Sequence, residues 1–327
     1  MKLGTTEISK IYLGSTEITS GYLGTASIYS SGPEPLDPTE PFYIENPNNS
    51  NITGIIQQSD YRAPSLSIQY SSDKTTWTTL GSTSTGGLTI SVPANSKIYF
   101  RCSTTAWAYS SYYNYFTATS SFNIGGNILA LLYGSSFTGE ETSLPSVSSA
   151  SFYSLRSLFK GSVNLIDASR LMLPATTITA GCYMYMFSGC TGLTTAPEIL
   201  PATTLQQNCY EQMFFGCTGL TTAPVLPATT LANDCYCNMF NGCSSLTTAP
   251  ELPATKLTNN CYRGMFSGCS NLNYIKCLAT SITASNCTTY WVYNVVTSTG
   301  TFVKKTSMSS WTTGNNGIPS GWTIQNA

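Results

Sequence analysis

Between residues 65 and 103, apolar and polar positions largely alternate. SLSIQYSS (65–72), TTWTTL (75–80), GLTISVPA (87–94) and KIYFRCS (97–103) keep a period near two, which predicts short strands. Asp73-Lys74, Ser82 to Gly87 and Pro93 to Ser96 supply the turns between them. Alternating strands with turns every roughly 8–12 residues predict an antiparallel β-sandwich over 42–123. From Leu173 the period changes, and whole blocks of apolar residues return every 26 or 27 positions.

Those blocks are near-copies. LPATTITAGCYMYMFSGCTGLTTAPEI begins at Leu173, LPATTLQQNCYEQMFFGCTGLTTAPV at Leu200, LPATTLANDCYCNMFNGCSSLTTAPE at Leu226 and LPATKLTNNCYRGMFSGCSNLNYIKC at Leu252. CLATSITASNC, from Cys277, starts an incomplete fifth. A unit this small buries its apolar face only against its neighbours, so the strict register over 173–287 predicts a solenoid. Leu193, Leu220, Leu246 and Leu272 are expected to open a short strand that stacks on the next coil. The pairs Met186-Phe187, Met213-Phe214, Met239-Phe240 and Met265-Phe266 are expected to fill the interior. Pro174, Pro201, Pro227 and Pro253 mark corners, and Gly189, Gly216, Gly242 and Gly268 are expected to take a bend that other residues resist.

The first 31 residues repeat on a shorter scale. In LGTTEISKIYLGSTEITSGYLGTASIY (3–29), Leu-Gly returns at Leu3, Leu13 and Leu23, with Ile8, Ile18 and Ile28 five residues after each leucine. Such units are too small to fold alone, and 1–31 is expected to dock on a larger assembly. Residues 32–41, GPEPLDPTEP, hold four prolines and three acids and predict a stiff, extended spacer. The aromatic-dense stretch Trp107 to Phe116 is expected to be core and strand surface, with a sugar-stacking patch as its sharper alternative.

Composition narrows the function. Charged residues are 9% of the 327, against roughly 25% in ordinary soluble domains, with a net charge of −1. The 14 Lys and Arg are scattered, so no basic patch points to nucleic acid. There is no histidine, which removes Ser-His-Asp and Cys-His chemistry and most catalytic zinc sites. Glu140-Glu141 is the one adjacent acidic pair. Neighbours in a strand face opposite ways, so it makes a poor shared site. The expectation is no enzyme, no catalytic residue, no metal and no cofactor. The longest apolar run, Ile128 to Tyr133, is far short of the roughly 20 residues of a spanning helix, so no membrane insertion is expected. The start MKLGTTEISK predicts no secretory signal, and LPATT is not read as a cell-wall sorting signal.

Twelve cysteines remain. Cys182, Cys209, Cys235, Cys261 and Cys287 form one ladder, and Cys190, Cys217, Cys243 and Cys269 another. Within a unit they stand eight apart, unlike zinc ligands, and free thiols buried between coils are expected. This fits folding in a reducing cytoplasm.

The motif CYxxMFxGCxxLTTAPxLPATT resembles the BspA-like branch of leucine-rich repeat proteins. GGNILALLYGSSF (125–137) is similar to the segment that leads into that family's repeats, and SLRSLFKGSVNLIDASRLMLPATT (154–177) to its degenerate first repeat. The latter runs into the strict repeats at Leu173, so the entry segment and degenerate repeat are set at 124–172. TTYWVYNVVTSTGTFVKKTSMSSWTTGNNGIPSGWTI (288–324) is similar to its C-terminal cap, here 288–327. The resemblance implies a mostly β fold with short helical turns, a right-handed solenoid behind a β-sandwich, and a role in adhesion rather than catalysis. The decads resemble N-terminal segments of phage virion proteins. Together these imply a virion appendage, a head fibre or tail-associated fibre, made in the host cytoplasm and carried on the virion surface. Residues 1–31 would meet capsid or tail proteins, and the solenoid or sandwich a host surface protein or glycan. A homo-oligomer, by preference a trimer, is expected of a fibre. The alternative is a BspA-like adhesin on a bacterial surface. Thr194, Thr221 and Thr247 are expected to line up along the coils, as solvated threonines rather than a site.

Overall fold

The computed structural model describes residues 35–83, 87–102, 104, 106–146, 153–309 and 311–327 with their side chains, and the backbone of Phe152 and of six short strands before residue 31. The chain is mostly β, with 29% strand and 3% helix, and no closed barrel forms among the described residues. It divides into two compact units, Met1–Asp37 and Pro38–Ala327.

In the first unit each decad is one antiparallel ladder. β1 (Lys2–Leu3) pairs with β2 (Thr6–Glu7), β3 (Ile11–Leu13) with β4 (Thr16–Ile18), and β5 (Ser20–Leu23) with β6 (Ala26–Ser30). The side chains of this stretch lie outside the described residues, as do residues 32–34 of the proline-rich 32–41. From Pro38 that segment belongs to the second unit, where the Asn127 N–H donates to the Glu40 carbonyl at 2.7 Å and the Asn127 amide to that of Pro38 at 3.0 Å, so its end is pinned rather than a free spacer.

The second unit opens with β7 (Tyr43–Asn46), β8 (Ile52–Gln58), β9 (Ser67–Ser71), β10 (Thr78–Ser82), β11 (Leu88–Val92), β12 (Ser96–Cys102), β13 (Ala108–Tyr109), β14 (Tyr112–Ala118) and β15 (Phe122–Asn127). After the short helix α1 (Ala130–Tyr133) come β16 (Phe152–Tyr153) and β17 (Leu165–Met172). These build two sheets, in the orders β10-β9-β12-β7-β15-β17 and β11-β8-β14-β13-β16. Ile44, Ile68, Phe100 and Ile124 from the first share one buried core with Ile52, Ile56 and Phe116 from the second. The Phe116 ring lies 5.1 Å from that of Phe42 and 5.4 Å from that of Phe100. The alternating stretches after residue 65 do form strands. The turn at Asp73 is held by its carboxylate, which accepts from the backbone N–H of Thr76 and Thr75 at 2.7 and 2.8 Å. Those bonds keep the carboxyl well below its ordinary range.

The sheets run past residue 123. β17 pairs parallel with β15, the exception in otherwise antiparallel sheets, and β16 pairs with β13. A parallel pair needs a crossover, and residues 128–164 provide it.

From residue 181 the backbone follows a two-way rule. Met184, Met186, Ser188 and Cys190 donate their N–H to the carbonyl three residues back. The residues between them, Gly181, Tyr183, Tyr185, Phe187 and Gly189, donate to the next repeat, at Gln207, Cys209, Glu211, Met213 and Phe215, over 2.7–3.0 Å. The next three repeats keep the same alternation. Every fourth residue is left-handed to allow it: Gly181, Tyr185 and Gly189 have φ of 60°, 59° and 77°, and Asn208, Gln212 and Gly216 have 57°, 52° and 70°. The glycines before the second cysteine thus take the expected bend. At Gly242 a Cβ would also sit 3.5 Å from the Gly216 Cα of the repeat before.

Inside, rings stack. Phe159, Phe187, Phe214, Phe240 and Phe266 form a column with centroids 5.2–5.8 Å apart, and Tyr183, Tyr210, Tyr236 and Tyr262 a second with 5.7–6.1 Å spacings. Trp291 lies beside the end of both. All twelve thiols are free and buried. Those of Cys190, Cys217, Cys243 and Cys269 point at the carbonyls of Phe159, Phe187, Phe214 and Phe240 in the repeat before, at 3.0–3.1 Å.

The short strand expected after each Leu193-type residue shrinks to single bridges, Asp167 with Thr195, Thr195 with Thr222 and Thr248 with Tyr274. Pro197, Pro224 and Pro250 follow two residues later and bring no N–H to extend a ladder. A parallel sheet appears only at the end, where β18 (Tyr274–Cys277) pairs with β19 (Thr301–Lys304), and β19 with β20 (Thr323–Asn326).

Candidate functional site

The motif CYxxMFxGC sorts its residues by direction. Cysteine, tyrosine, methionine and phenylalanine are buried at every copy, because they fill the two ring columns and the layer between them. The three x positions lie between these inward residues, and most of their side chains are half-buried or exposed, with Met184, Ser188 and Cys237 buried. In order along the stack they read Met184, Tyr185, Ser188; Glu211, Gln212, Phe215; Cys237, Asn238, Asn241; Arg263, Gly264, Ser267; and Thr289, Tyr290, Tyr293. The bond from the Ser157 N–H to the Met184 carbonyl and the left-handed φ of Ser157 put Arg156, Ser157 and Lys160 at the head of the same three columns. The near-identical copies therefore disagree with one another along a single face.

At the head of this face lies a cluster of tyrosines and cations. β14 divides the aromatic segment: Trp107 and Phe116 stack in the core at 5.4 Å, whereas Tyr113 and Tyr115 turn outward with rings 5.8 Å apart. The Lys160 ammonium lies 5.3 Å from the Tyr113 ring and 4.9 Å from that of Tyr185. The Arg156 guanidinium lies 4.8 Å from the Tyr153 ring and donates to the Ser110 carbonyl at 2.6 Å, while its Nε is buried without a hydrogen-bond partner. Burial, with the Arg156 charge nearby, lowers the Lys160 ammonium pKa. Next along the stack, burial raises the Glu211 carboxyl, which accepts from the Asn208 amide at 2.5 Å. Neither Arg156 nor Lys160 makes an ion pair among the described residues. Such a surface offers ring faces, amides and unspent positive charge.

At the far end the columns open into a cleft of about 390 Å³ lined by Asn238, Asn241, Arg263, Gly264, Tyr290 and Tyr293 among others. Its volume lies within the roughly 300–1,000 Å³ of small-molecule sites.

The residues singled out from sequence lie elsewhere. Thr194 and Thr221 are exposed and aligned, but their hydroxyls donate to the carbonyls of Ile166 and Thr194 in the repeat before, at 3.0 Å each. That makes them staples between repeats. Glu141 folds back to accept from the N–H groups of Thr138 and Gly139 at 2.8 and 2.9 Å, and these bonds outweigh burial to lower its carboxyl pKa. Arg156, Lys160, Tyr185, Arg263 and Tyr290 were not foreseen. The available signal was the disagreement between copies at the x positions, which sequence reading treats as noise.

No family profile, curated protein or solved structure matches this chain.

Proposed function

We propose that the chain is a displayed adhesion protein, an appendage of a phage virion whose second unit touches a host surface or glycan. The repeats are taken as a leucine-rich repeat solenoid of the BspA-like kind, closed at its C-terminal end by the β18–β20 sheet and its tryptophans. The observation that carries the reading is the division of the repeat motif. Inward positions are held constant from copy to copy, and outward positions vary on one continuous face rich in aromatic and amide groups. A mere spacer has no need of that variation. Weak contacts along such a face become strong attachment when many copies are presented together.

The first unit supports the docking role. A lone two-stranded ladder is marginal in water, so three of them in series call for a partner surface. A chain beginning at Pro38, where the second compact unit begins, is expected to keep its fold and to lose attachment to particles. Antibody labelling of purified virions and of intact uninfected bacteria tests the setting. Label on virions supports the proposal; label confined to uninfected cells replaces it with a bacterial surface adhesin.

A further inference from the structure

We infer that the cleft at Gly264 is a binding site for an acidic saccharide, a hexose ring bearing a carboxylate. The inference deepens the adhesive reading and takes its biological setting from it.

The cleft exists because one column skips a side chain. Tyr185, Gln212, Asn238 and Tyr290 fill that column in other repeats, and at 264 the residue is glycine. A Cβ there would lie 2.1 Å from Asn238 Oδ1, so the Asn238 amide leans over the glycine and any side chain at 264 would push it out of the position it holds in the cleft wall. The polar groups around the gap are already oriented. Asn241 Nδ2 donates to Asn238 Oδ1 at 3.1 Å, while Asn238 Nδ2 faces the Cys237 sulfur at 3.3 Å. The Tyr290 and Tyr293 rings meet edge to face at 5.8 Å and stay 57% and 43% exposed. They are braced from behind, since the Tyr290 N–H donates to Asn316 Oδ1 at 2.7 Å and the Val292 N–H to the Asn315 carbonyl at 3.2 Å. Exposed tyrosine faces on a hydrogen-bonded backbone suit the C–H face of a pyranose, and paired amides suit its hydroxyls.

Arg263 supplies the acid selectivity. Its guanidinium is exposed at the rim and forms no ion pair among the described residues, in a chain with only 14 cationic side chains. A planar guanidinium with free donors matches a carboxylate in a two-pronged contact.

The test uses the full chain with methyl β-D-glucuronide and methyl β-D-glucoside, which differ only at C6. Saturation-transfer NMR and titration are expected to show the glucuronide binding at least tenfold more tightly. Gly264→Asn is expected to abolish binding of both. It should leave the fold intact, because asparagine at 238 already holds the same left-handed turn at φ 52°, and the new Cβ meets the far end of the Asn238 side chain, which can swing aside into the cleft. Arg263→Gln, at an exposed position, is expected to erase the preference and leave weak binding of the neutral ring. Equal affinity for the two sugars, or wild-type binding by Gly264→Asn, overturns the inference. If neither sugar binds while the protein still attaches to host cells, the cleft assignment fails and the adhesive reading survives. If attachment to host cells is absent as well, both fail.

Discussion

Alkali is expected to unfold this protein well before it would trouble an ordinary β-rich domain, and the reason is the buried thiols. Cys190, Cys261, Cys269 and Cys277 are each pushed up to about 12 by burial, because a thiolate between stacked repeats would have no water and no cation. In the unfolded chain a thiol ionises near roughly 8.5. Below that value both states keep the proton and pH has no effect through these groups. Above it the unfolded chain sheds protons that the folded chain retains, so stability falls as pH rises until the folded pKa is reached. The loss is about 1.4 kcal/mol per pH unit per thiol, which for four thiols amounts to about 8 kcal/mol at pH 10. Cys182, Cys209, Cys217, Cys235 and Cys243 are raised by the same burial and act in the same direction. Typical domain stabilities are roughly 5–15 kcal/mol, so unfolding is expected by about pH 10. Urea titrations under reducing conditions from pH 8 to 10.5, followed by tryptophan emission and circular dichroism, measure the slope. Cys190→Ala combined with Cys269→Ala removes two ionising groups from the unfolded chain. It should cut the slope by about 2.7 kcal/mol per pH unit. A stability that stays flat to pH 10.5, or a slope unchanged in the double variant, would refute the reasoning.

Three further outcomes are expected. In the native protein at pH 8 a bulky thiol reagent should label none of the buried ladder cysteines within minutes, and after denaturation all twelve cysteines should react; rapid native labelling would place thiolates where burial forbids them. Phe214→Ala removes a fully buried ring stacked at 5.2 and 5.5 Å on its neighbours and should cost about 3–5 kcal/mol, read from the urea midpoint. Gly242→Ala forces a Cβ onto a backbone at φ 78° and should cost about 1–2 kcal/mol, whereas Asn238→Gly in the same repeat should cost under about 1 kcal/mol; equal losses would count against the left-handed turn as the cause.

The inward half of the repeat was legible in the sequence because burial repeats what it needs. A phenylalanine column demands phenylalanine at every step, so period and residue type appear together. The bend at Gly189 and its counterparts was legible for the same reason. Harder to read were the left-handed positions at Asn208, Asp234 and Asn260, since asparagine and aspartate occur in many kinds of turn. The strands failed differently. TTAP reads as a strand edge, but the proline leaves a single bridge where a ladder was expected. The run past residue 123 was hidden because β15 and β17 are separated by 37 residues of crossover and pair in parallel, a contact that alternation within either strand cannot report.

The outward half was illegible for a physical reason that also argues for its use. Fold stability here resides in the rings, thiols and alternating N–H bonds, in which the x-position side chains take little part, the buried Met184, Ser188 and Cys237 excepted. Tyr185, Glu211, Asn238, Arg263 and Tyr290 are therefore free to differ without unstacking the repeats, and differ they do. In a spacer such freedom would be filled by interchangeable polar residues. Here it holds two uncompensated cations among tyrosines at one end, and a cleft opened by a missing side chain at the other. Substitutions on this face should consequently separate the two properties. Binding should change by an order of magnitude or more while the urea midpoint barely moves, and substitutions in the ring columns should do the reverse. A set of x-position variants that lowered stability and binding in proportion would show that the face serves the fold and not a ligand.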